Sequence, residues 1–384
     1  MRIGLFGDTY YPEKNGVAVS MHQLRKGLEA AGHEVFIFTI ETKGMVYDDH
    51  VFRYKTVKAV IVKGRRVSVP HYAKWLKQVE KLKLDVIHTQ SEFTLGRLGR
   101  KAAQKFGIPL IHTYHTIYEH SAMYLNLPAS GTKLMTDMIR KFTTNWCNSV
   151  DYVIVPTAKT YDLLVEDGVK KEMKIIPTGL DMDKYRSADP EKVRSLKKRY
   201  GLTENEKVLL YLGRVDPEKS IDVLVDYMST VAEGHPEVRL VIVGDGLSME
   251  ALREQAEKEG IQDRIVFTGA VNWDEVQNYY ALGDIFVSAS FSETQGLTYY
   301  EALAVGLPVL GFRDRSLDVM IRDGENGWQF DRREDFLEKM ETMLDKLPYF
   351  KENAMKTAEN FTTGKFAEAV LEVYRYVMEK RSRS

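Results

Sequence analysis

Short apolar runs and longer amphipathic stretches take turns along this chain, and the series runs through twice. In the first half the runs are Ile3–Phe6, Glu34–Thr39, Val86–His88, Leu110–His112, Tyr152–Val155 and Lys174–Ile176. They are rich in Val, Ile and Phe, and several are apolar throughout, as strands buried on both faces are. Between them, residues 19–31 put Leu24 and Leu28 on one helical face and stop at Gly32; residues 72–82 and 133–149 repeat the pattern. The second half restarts with Val208–Leu212, Arg239–Val243, Arg264–Phe267, Ile285–Ser288 and Pro308–Gly311. Helical stretches near 219–233, 248–259, 273–282, 297–305 and 333–346 are interleaved with these. Such alternation predicts right-handed crossovers and parallel sheets. Two series predict an α/β chain of two doubly wound domains, each with its strand C-termini facing a crevice.

The break falls near 181–206, where a polar stretch runs into Pro190 and a charged helix. The expected division is residues 1–180 and 181–363. A final helix from 364 onward puts Phe366, Val370, Val373 and Val377 on one face that must be buried.

A length of 384 residues suits two domains. With 44% apolar and 28% charged residues, the chain reads as an ordinary globular protein. It has no apolar run of about 18 residues, so no membrane-spanning helix is expected. The opening residues read as a strand rather than a signal peptide, and the single cysteine, Cys147, allows no intrachain disulfide. Both features predict a cytoplasmic protein. The net charge of -1 conceals an asymmetry: residues 1–180 carry 26 basic and 17 acidic side chains, and the remainder 28 and 38. The first half is therefore +9 and the second -10. A basic half suits a phosphate ligand, a nucleic acid or an anionic lipid surface, or is simply a solvated face.

Several positions could carry chemistry. Gly213-Arg214 follows a strand, with Lys219 five residues on; the two cations suit a diphosphate, or are helix-end basic residues. In Ser290–Glu301 a strand gives way to a helix, so Gly296, Leu297 and Thr298 would offer backbone N–H groups to an anion. Glu293 and Glu301 flank that turn. Carboxylates repel phosphate but accept hydrogen bonds from sugar hydroxyls, so the combination suggests a sugar nucleotide. Alternatively Glu293 caps the helix and Glu301 is exposed. Gly16, after Asn15, repeats the device in the first half, or is a turn glycine. Gly244-Asp-Gly246 lacks the third glycine of a dinucleotide fingerprint and reads as a structural turn. His112, His115 and His120 lack the spacing of a metal site; a hydrogen-bonding role at the strand end fits better. Lys58, Lys63, Arg65, Arg66 and His71 stand among valines, a mixture suited to an anionic membrane. The stretch 133–146, with Leu134, Met135, Met138, Ile139, Phe142 and Trp146, is amphipathic: an interfacial helix or a core-facing one.

Taken together, these residues resemble a retaining glycosyltransferase of family four. The marks are Asn15-Gly16-Val17, Tyr114-His115-Thr116, Ile176–Asp181, Gly213-Arg214 with Lys219, Gly244-Asp-Gly246, and the Glu293/Glu301 pair eight residues apart. The resemblance covers nearly the whole chain. It implies the GT-B fold, with the terminal helix 364–384 crossing back to the first domain. It also implies a UDP-sugar-dependent hexosyltransferase needing no cofactor or metal. By the same resemblance, Arg214 and Lys219 hold the donor diphosphate, assisted by backbone at Gly16, Gly296, Leu297 and Thr298. Glu301 then binds the ribose and Glu293 the donor sugar. His115 contacts the sugar near the reaction centre, and the nucleobase lies against Arg264–Val271. Catalytic roles thus fall to His115, Glu293, Arg214 and Lys219.

Asp8–Pro12, His88–Phe93, His112–Glu119 and Glu293–Thr298 are similar to the diacylglycerol glucosyltransferases of Gram-positive bacteria. Many relatives have Phe-Gly where this chain has Thr294-Gln295-Gly296. The subgroup implies UDP-glucose as donor, diacylglycerol as acceptor and no nucleic acid. It implies a peripheral position on the inner membrane face, with Lys58, Lys63, Arg65 and Arg66 toward anionic lipid. The alternatives are a soluble acceptor, a nucleotide-dependent oxidoreductase and a non-catalytic sugar-nucleotide sensor.

Overall fold

The computed structural model describes residues 1–13, 15–58, 66–68, 71–117 and 129–383. They divide into two units, Met1–Gly179 with Thr363–Ser384, and Leu180–Thr362.

In the first unit, β1 (Arg2–Phe6), α1 (Gly16–Ala30), β2 (Glu34–Ile40) and β3 (Val51–Tyr54) precede a small hairpin, β4 (Thr56–Lys58) with β5 (Arg66–Ser68). Then come α2 (Tyr72–Leu82), β6 (Val86–Thr89), α3 (Thr94–Phe106), β7 (Leu110–Thr113), α4 (Ala129–Cys147), β8 (Tyr152–Val155), α5 (Ala158–Glu166) and β9 (Met173–Ile175). Among the described residues, seven parallel strands form one sheet in the order β3-β2-β1-β6-β7-β8-β9. Its central strands are buried along nearly their whole length, which is why they read as unbroken apolar runs. The order reverses direction between β1 and β6, so the segments after those strands are the natural ligand position in this unit.

The second unit opens with α6 (Met182–Arg186) and α7 (Pro190–Arg199), then β10 (Lys207–Leu212), α8 (Ile221–Gly234), β11 (Val238–Val243), α9 (Met249–Lys258) and β12 (Ile265–Gly269). It continues with α10 (Val276–Tyr280), β13 (Ile285–Ser288), α11 (Leu297–Val305), β14 (Val309–Phe312), β15 (Gly327–Phe330), α12 (Arg333–Asp345) and α13 (Leu347–Ala358). Six parallel strands take the order β12-β11-β10-β13-β14-β15. This is the doubly wound Rossmann order, with its switch point between β10 and β13.

The stretch from 181 is no linker. Met182 and Tyr185 of α6 are buried in the second unit's core beside Tyr280, Tyr299 and Leu303. The last helix, α14 (Thr363–Ser382), belongs to the first unit. It buries Phe366, Ala367, Val370, Leu371, Val373, Tyr374 and Val377 against Ile3, Leu5, Leu24, Leu28 and Ile111. At about 1.5–3 kcal/mol per large apolar side chain, this face contributes on the order of 10 kcal/mol after allowing for a compact unfolded state. The helix is therefore an integral layer of that unit. His88 of β6 joins it: Nδ1 lies 2.7 Å from the Tyr374 hydroxyl and Nε2 2.7 Å from Thr113 Oγ1. Burial drives the His88 pKa well down, so this ring is a neutral, fully bonded core group.

Candidate functional site

At the second unit's switch point, β10 leads into Gly213-Arg214 and β13 into the 289–296 loop. Lys219 stands just before α8 and reaches that loop. Its Nζ is 2.6 Å from Glu293 Oε1, with only 17% and 13% of the two side chains exposed. The sequence assigned this lysine and this carboxylate to one ligand, and the fold makes them an ion pair. Arg214 is more open, 65% exposed, and its guanidinium donates to Asp216 and, at 2.5 Å, to Glu218 Oε1. Those bonds use two of its five N–H donors, which leaves a cationic edge for an anion.

The Arg214 loop is held by its neighbours. Tyr211 Oη donates to Arg214 O at 2.8 Å. Asp216 Oδ1 accepts from Leu247 N at 3.0 Å. Gly244, at φ 140°, packs so closely that a Cβ there would lie 1.8 Å from Gly213 O. The Gly-Asp-Gly turn is thus a structural brace for the loop carrying Arg214.

Helix α11 is preceded at its N-cap position by Gly296, whose φ of 75° is left-handed and which provides no side-chain cap. The cap position is this glycine and not Glu293. Leu297 and Thr298 form the first turn, as the sequence predicts, where N–H groups and the helix dipole favour an anion.

Glu301, one turn further, is not an exposed helix residue. It is 5% exposed, and its two carboxylate oxygens accept from the hydroxyls of Tyr185 and Tyr280, each at 2.7 Å. Burial raises its pKa, and the two phenols oppose that shift by bonding the charged form. Neither tyrosine was singled out by the sequence. Tyr185 lies in the polar stretch that reads as a linker, and Tyr280 sits in a short helix with no motif. Replacing Tyr280 by Phe leaves a buried carboxylate short of one donor. The unfolding free energy is expected to fall by about 1–3 kcal/mol, measured by urea denaturation; an unchanged midpoint contradicts the pairing.

Arg264 is a correction. It precedes β12, at the opposite end of the strand from these loops, and its guanidinium donates to Pro236 O at 2.5 Å. Of the segment expected to face a nucleobase, only the part from Gly269 onward lies at the C-terminal end of the strand.

In the first unit, the ends of β1, β6 and β7 bring together a second group. Gly16 is the exposed first residue of α1, and Asn15 Oδ1 caps that helix by accepting from Ala18 N at 3.0 Å. Asp8 accepts from Ser91 Oγ at 2.6 Å and from Leu95 N at 3.1 Å, so it caps α3 from the segment after β1. Burial lifts its pKa to about 6. His112 is fully buried and so does not face a ligand. Its Nδ1 lies 3.1 Å from Thr89 O, and its Nε2 lies 3.2 Å from Glu92 Oε1. His115 is the ring that is partly accessible, with Nε2 2.7 Å from Gln90 Oε1. Burial and the neighbouring His112 lower its pKa to about 3, so it is neutral at working pH. His120 lies outside the described residues, as do Lys63 and Arg65. Lys58 and Arg66 are opposite each other in the β4–β5 hairpin.

Helix α4 resolves its two readings by position. Trp146 and Cys147 at its C-terminal end are in the core, whereas Leu134 and Met138, on one face further up, are 64% and 60% exposed. Among the described residues, no helix is long and apolar enough to cross a membrane, and no three His, Cys, Asp or Glu side chains are grouped as metal ligands.

Comparison with known proteins agrees with this architecture. A family model described as Glycosyltransferase Family 4 matches residues 14–184, and one described as Glycosyl transferases group 1 matches residues 192–361. The alpha-monoglucosyldiacylglycerol synthase of Streptococcus pneumoniae is 40% identical over 327 residues, 84% of this chain and 74% of that protein. The protein of the same name from Acholeplasma laidlawii is 35% identical over 352 residues, covering 88% and 87%. Among solved structures, Anabaena HepE in complex with UDP and glucose superposes with a TM-score of 0.78 at 17% identity, over 98% of this chain and 100% of that one.

Proposed function

The chain belongs to glycosyltransferase family 4 and is a hexosyltransferase of GT-B fold, and from that premise we propose that it moves glucose from UDP-glucose to diacylglycerol. The observation that carries this reading is the switch point of the second sheet. Two cations suited to a diphosphate, Arg214 and Lys219, stand beside a lysine-paired carboxylate, Glu293, and a phenol-held carboxylate, Glu301. The acceptor follows from the two synthases that share 40% and 35% of their aligned residues with this chain.

The roles divide by chemistry. Arg214 and Lys219 bind the diphosphate, helped by backbone at Gly16, Gly296, Leu297 and Thr298. Glu301 accepts from the ribose hydroxyls, Glu293 from hydroxyls of the hexose, and His115 touches the sugar. The bond from the sugar C1 to the diphosphate oxygen breaks, and the acceptor oxygen bonds C1 on the same face. Same-face bonding retains the α-configuration, and the acceptor proton passes to the departing phosphate. The fixed positive charge of Arg214, Lys219 and the α11 start stabilises the leaving UDP, a task that requires no metal ion. Glucolipid formation from UDP-glucose and diacylglycerol is therefore expected at full rate in excess chelator. Complete loss, restored by one specific divalent cation, contradicts this assignment.

We further place the enzyme peripherally on the inner face of the cell membrane. The exposed Leu134 and Met138 of α4 and the half-exposed Phe93 supply apolar contact, with Lys133 and Lys141 exposed on the same helix. The segment carrying Lys58, Lys63, Arg65 and Arg66 supplies four charges at about 1 kcal/mol each near an anionic surface. Binding to phosphatidylglycerol vesicles is expected to weaken as salt rises from low ionic strength, where the Debye length is longest. Equal sedimentation with neutral vesicles contradicts the electrostatic part.

A further inference from the structure

Gln90 directly follows β6, and His115 lies two residues beyond β7, its parallel neighbour. The Gln90 side chain is 3% exposed. Its Oε1 accepts His115 Nε2–H at 2.7 Å, which occupies the amide oxygen and fixes the ring as the Nε2–H tautomer. Two groups are left over. Gln90 Nε2 is buried and has no hydrogen-bond partner among the described residues. His115 Nδ1, an acceptor in this tautomer, has no partner among the described residues. Buried amide N–H groups are rarely left unpaired, because each costs about 1–3 kcal/mol. A donor and an acceptor supplied by one bonded pair suit a hydroxyl group, which gives one hydrogen bond and takes another. They do not suit a phosphate or a carboxylate, which only accept.

We propose that Gln90 is a specificity-determining residue for the transferred hexose. It holds His115 with Nδ1 bare, its own amide N–H donates to the sugar, and Nδ1 accepts from a sugar hydroxyl. The proposal rests on the reading of the chain as a UDP-hexose-dependent transferase. The surroundings keep the ring in the required form. His112 from β7 and burial both oppose a second proton on His115, outweighing the attraction of Glu92. His88 from β6, itself neutral, adds no charge.

The test compares kcat/KM for UDP-glucose with that for four UDP-deoxyglucoses, lacking in turn the 2-, 3-, 4- and 6-hydroxyl. In the wild-type protein, loss of the hydroxyl read by this pair is expected to cost about 5- to 150-fold. In Gln90→Met that one penalty shrinks several-fold, since only His115 Nδ1 is left to read the hydroxyl, while the penalties at the other positions persist. Gln90→Glu keeps an acceptor for His115 Nε2–H but lacks the amide donor, and should shrink the same penalty. It serves as the second variant if Gln90→Met does not fold. A 15N spectrum of the wild-type protein, with the His115 resonance assigned by its loss in His115→Ala, should show the neutral Nε2–H tautomer. An unaltered penalty profile in the folded variants, or an Nδ1–H tautomer, overturns the proposal. If the wild-type protein transfers no hexose from UDP-glucose, the underlying reading fails instead.

Discussion

Lys219→Ala is expected to weaken UDP binding more than any other single change in the second unit. The ammonium is 17% exposed and sits 2.6 Å from a carboxylate that is equally shielded. Removing it deletes one charge-assisted contact to the diphosphate, at about 1.5–3 kcal/mol or roughly 10- to 150-fold in affinity. It also leaves Glu293 without its cation, next to the incoming anion, which adds repulsion in a poorly solvated place. Arg214→Ala should cost less, because Arg214 is 65% exposed and already shared between Asp216 and Glu218. Calorimetric titration with UDP gives both numbers. Unchanged affinity in both variants rejects the diphosphate assignment, and a larger loss for Arg214→Ala reverses the ranking.

Glu92→Ala is expected to destabilise the first unit. Glu92 and His112 are 2% and 0% exposed, and His112 has its other nitrogen committed to Thr89. Deleting Glu92 leaves the buried His112 Nε2 without the carboxylate it faces, and a buried polar group left without its partner costs about 1–3 kcal/mol. In a unit of about 200 residues this corresponds to a drop in Tm of roughly 2–12 °C. Replacing both residues by apolar side chains should recover part of the loss. A Glu92→Ala variant within about 1 kcal/mol of the wild-type protein would show that the pair contributes little.

The parts of the fold that were legible are those where local pattern and tertiary demand agree. The apolar runs of β1, β8, β10 and β13 are buried strands, and the start of α11 at Leu297 coincides with its glycine signal. The elements missed are those where packing overrides propensity. Helix α3 contains Gly96 and Gly99, poor helix formers, yet a Cβ on Gly96 would lie 1.8 Å from Ser91 O, and one on Gly99 2.9 Å from Phe6. The glycines that obscure the helix are what allow it to lie against the sheet. Strands β3 and β15 are four residues each and begin beside turn residues. Helix α13 follows α12 after Lys346 alone, and Pro348 in its first turn was the available signal.

The site divides in the same way. Arg214, Lys219, Glu293 and Glu301 stand out because charged residues at strand–helix junctions invite a chemical reading. The residues that set their state do not. Tyr185 looks like part of a polar linker, and Gln90 is one letter in a run between His88 and Phe93. Their importance comes from which group they bond, and no spacing rule encodes a partner 116 positions away, as Glu301 is from Tyr185.

The most direct test of the account supplies radiolabelled UDP-glucose to the purified protein with phosphatidylglycerol vesicles containing diacylglycerol. The products are then separated into lipid and aqueous phases, and the lipid linkage is determined by NMR. Label is expected in a monoglucosyldiacylglycerol with an α-linkage, at a rate that falls sharply in Lys219→Ala. Label appearing only in soluble glycosides, or a β-linked lipid, would contradict it.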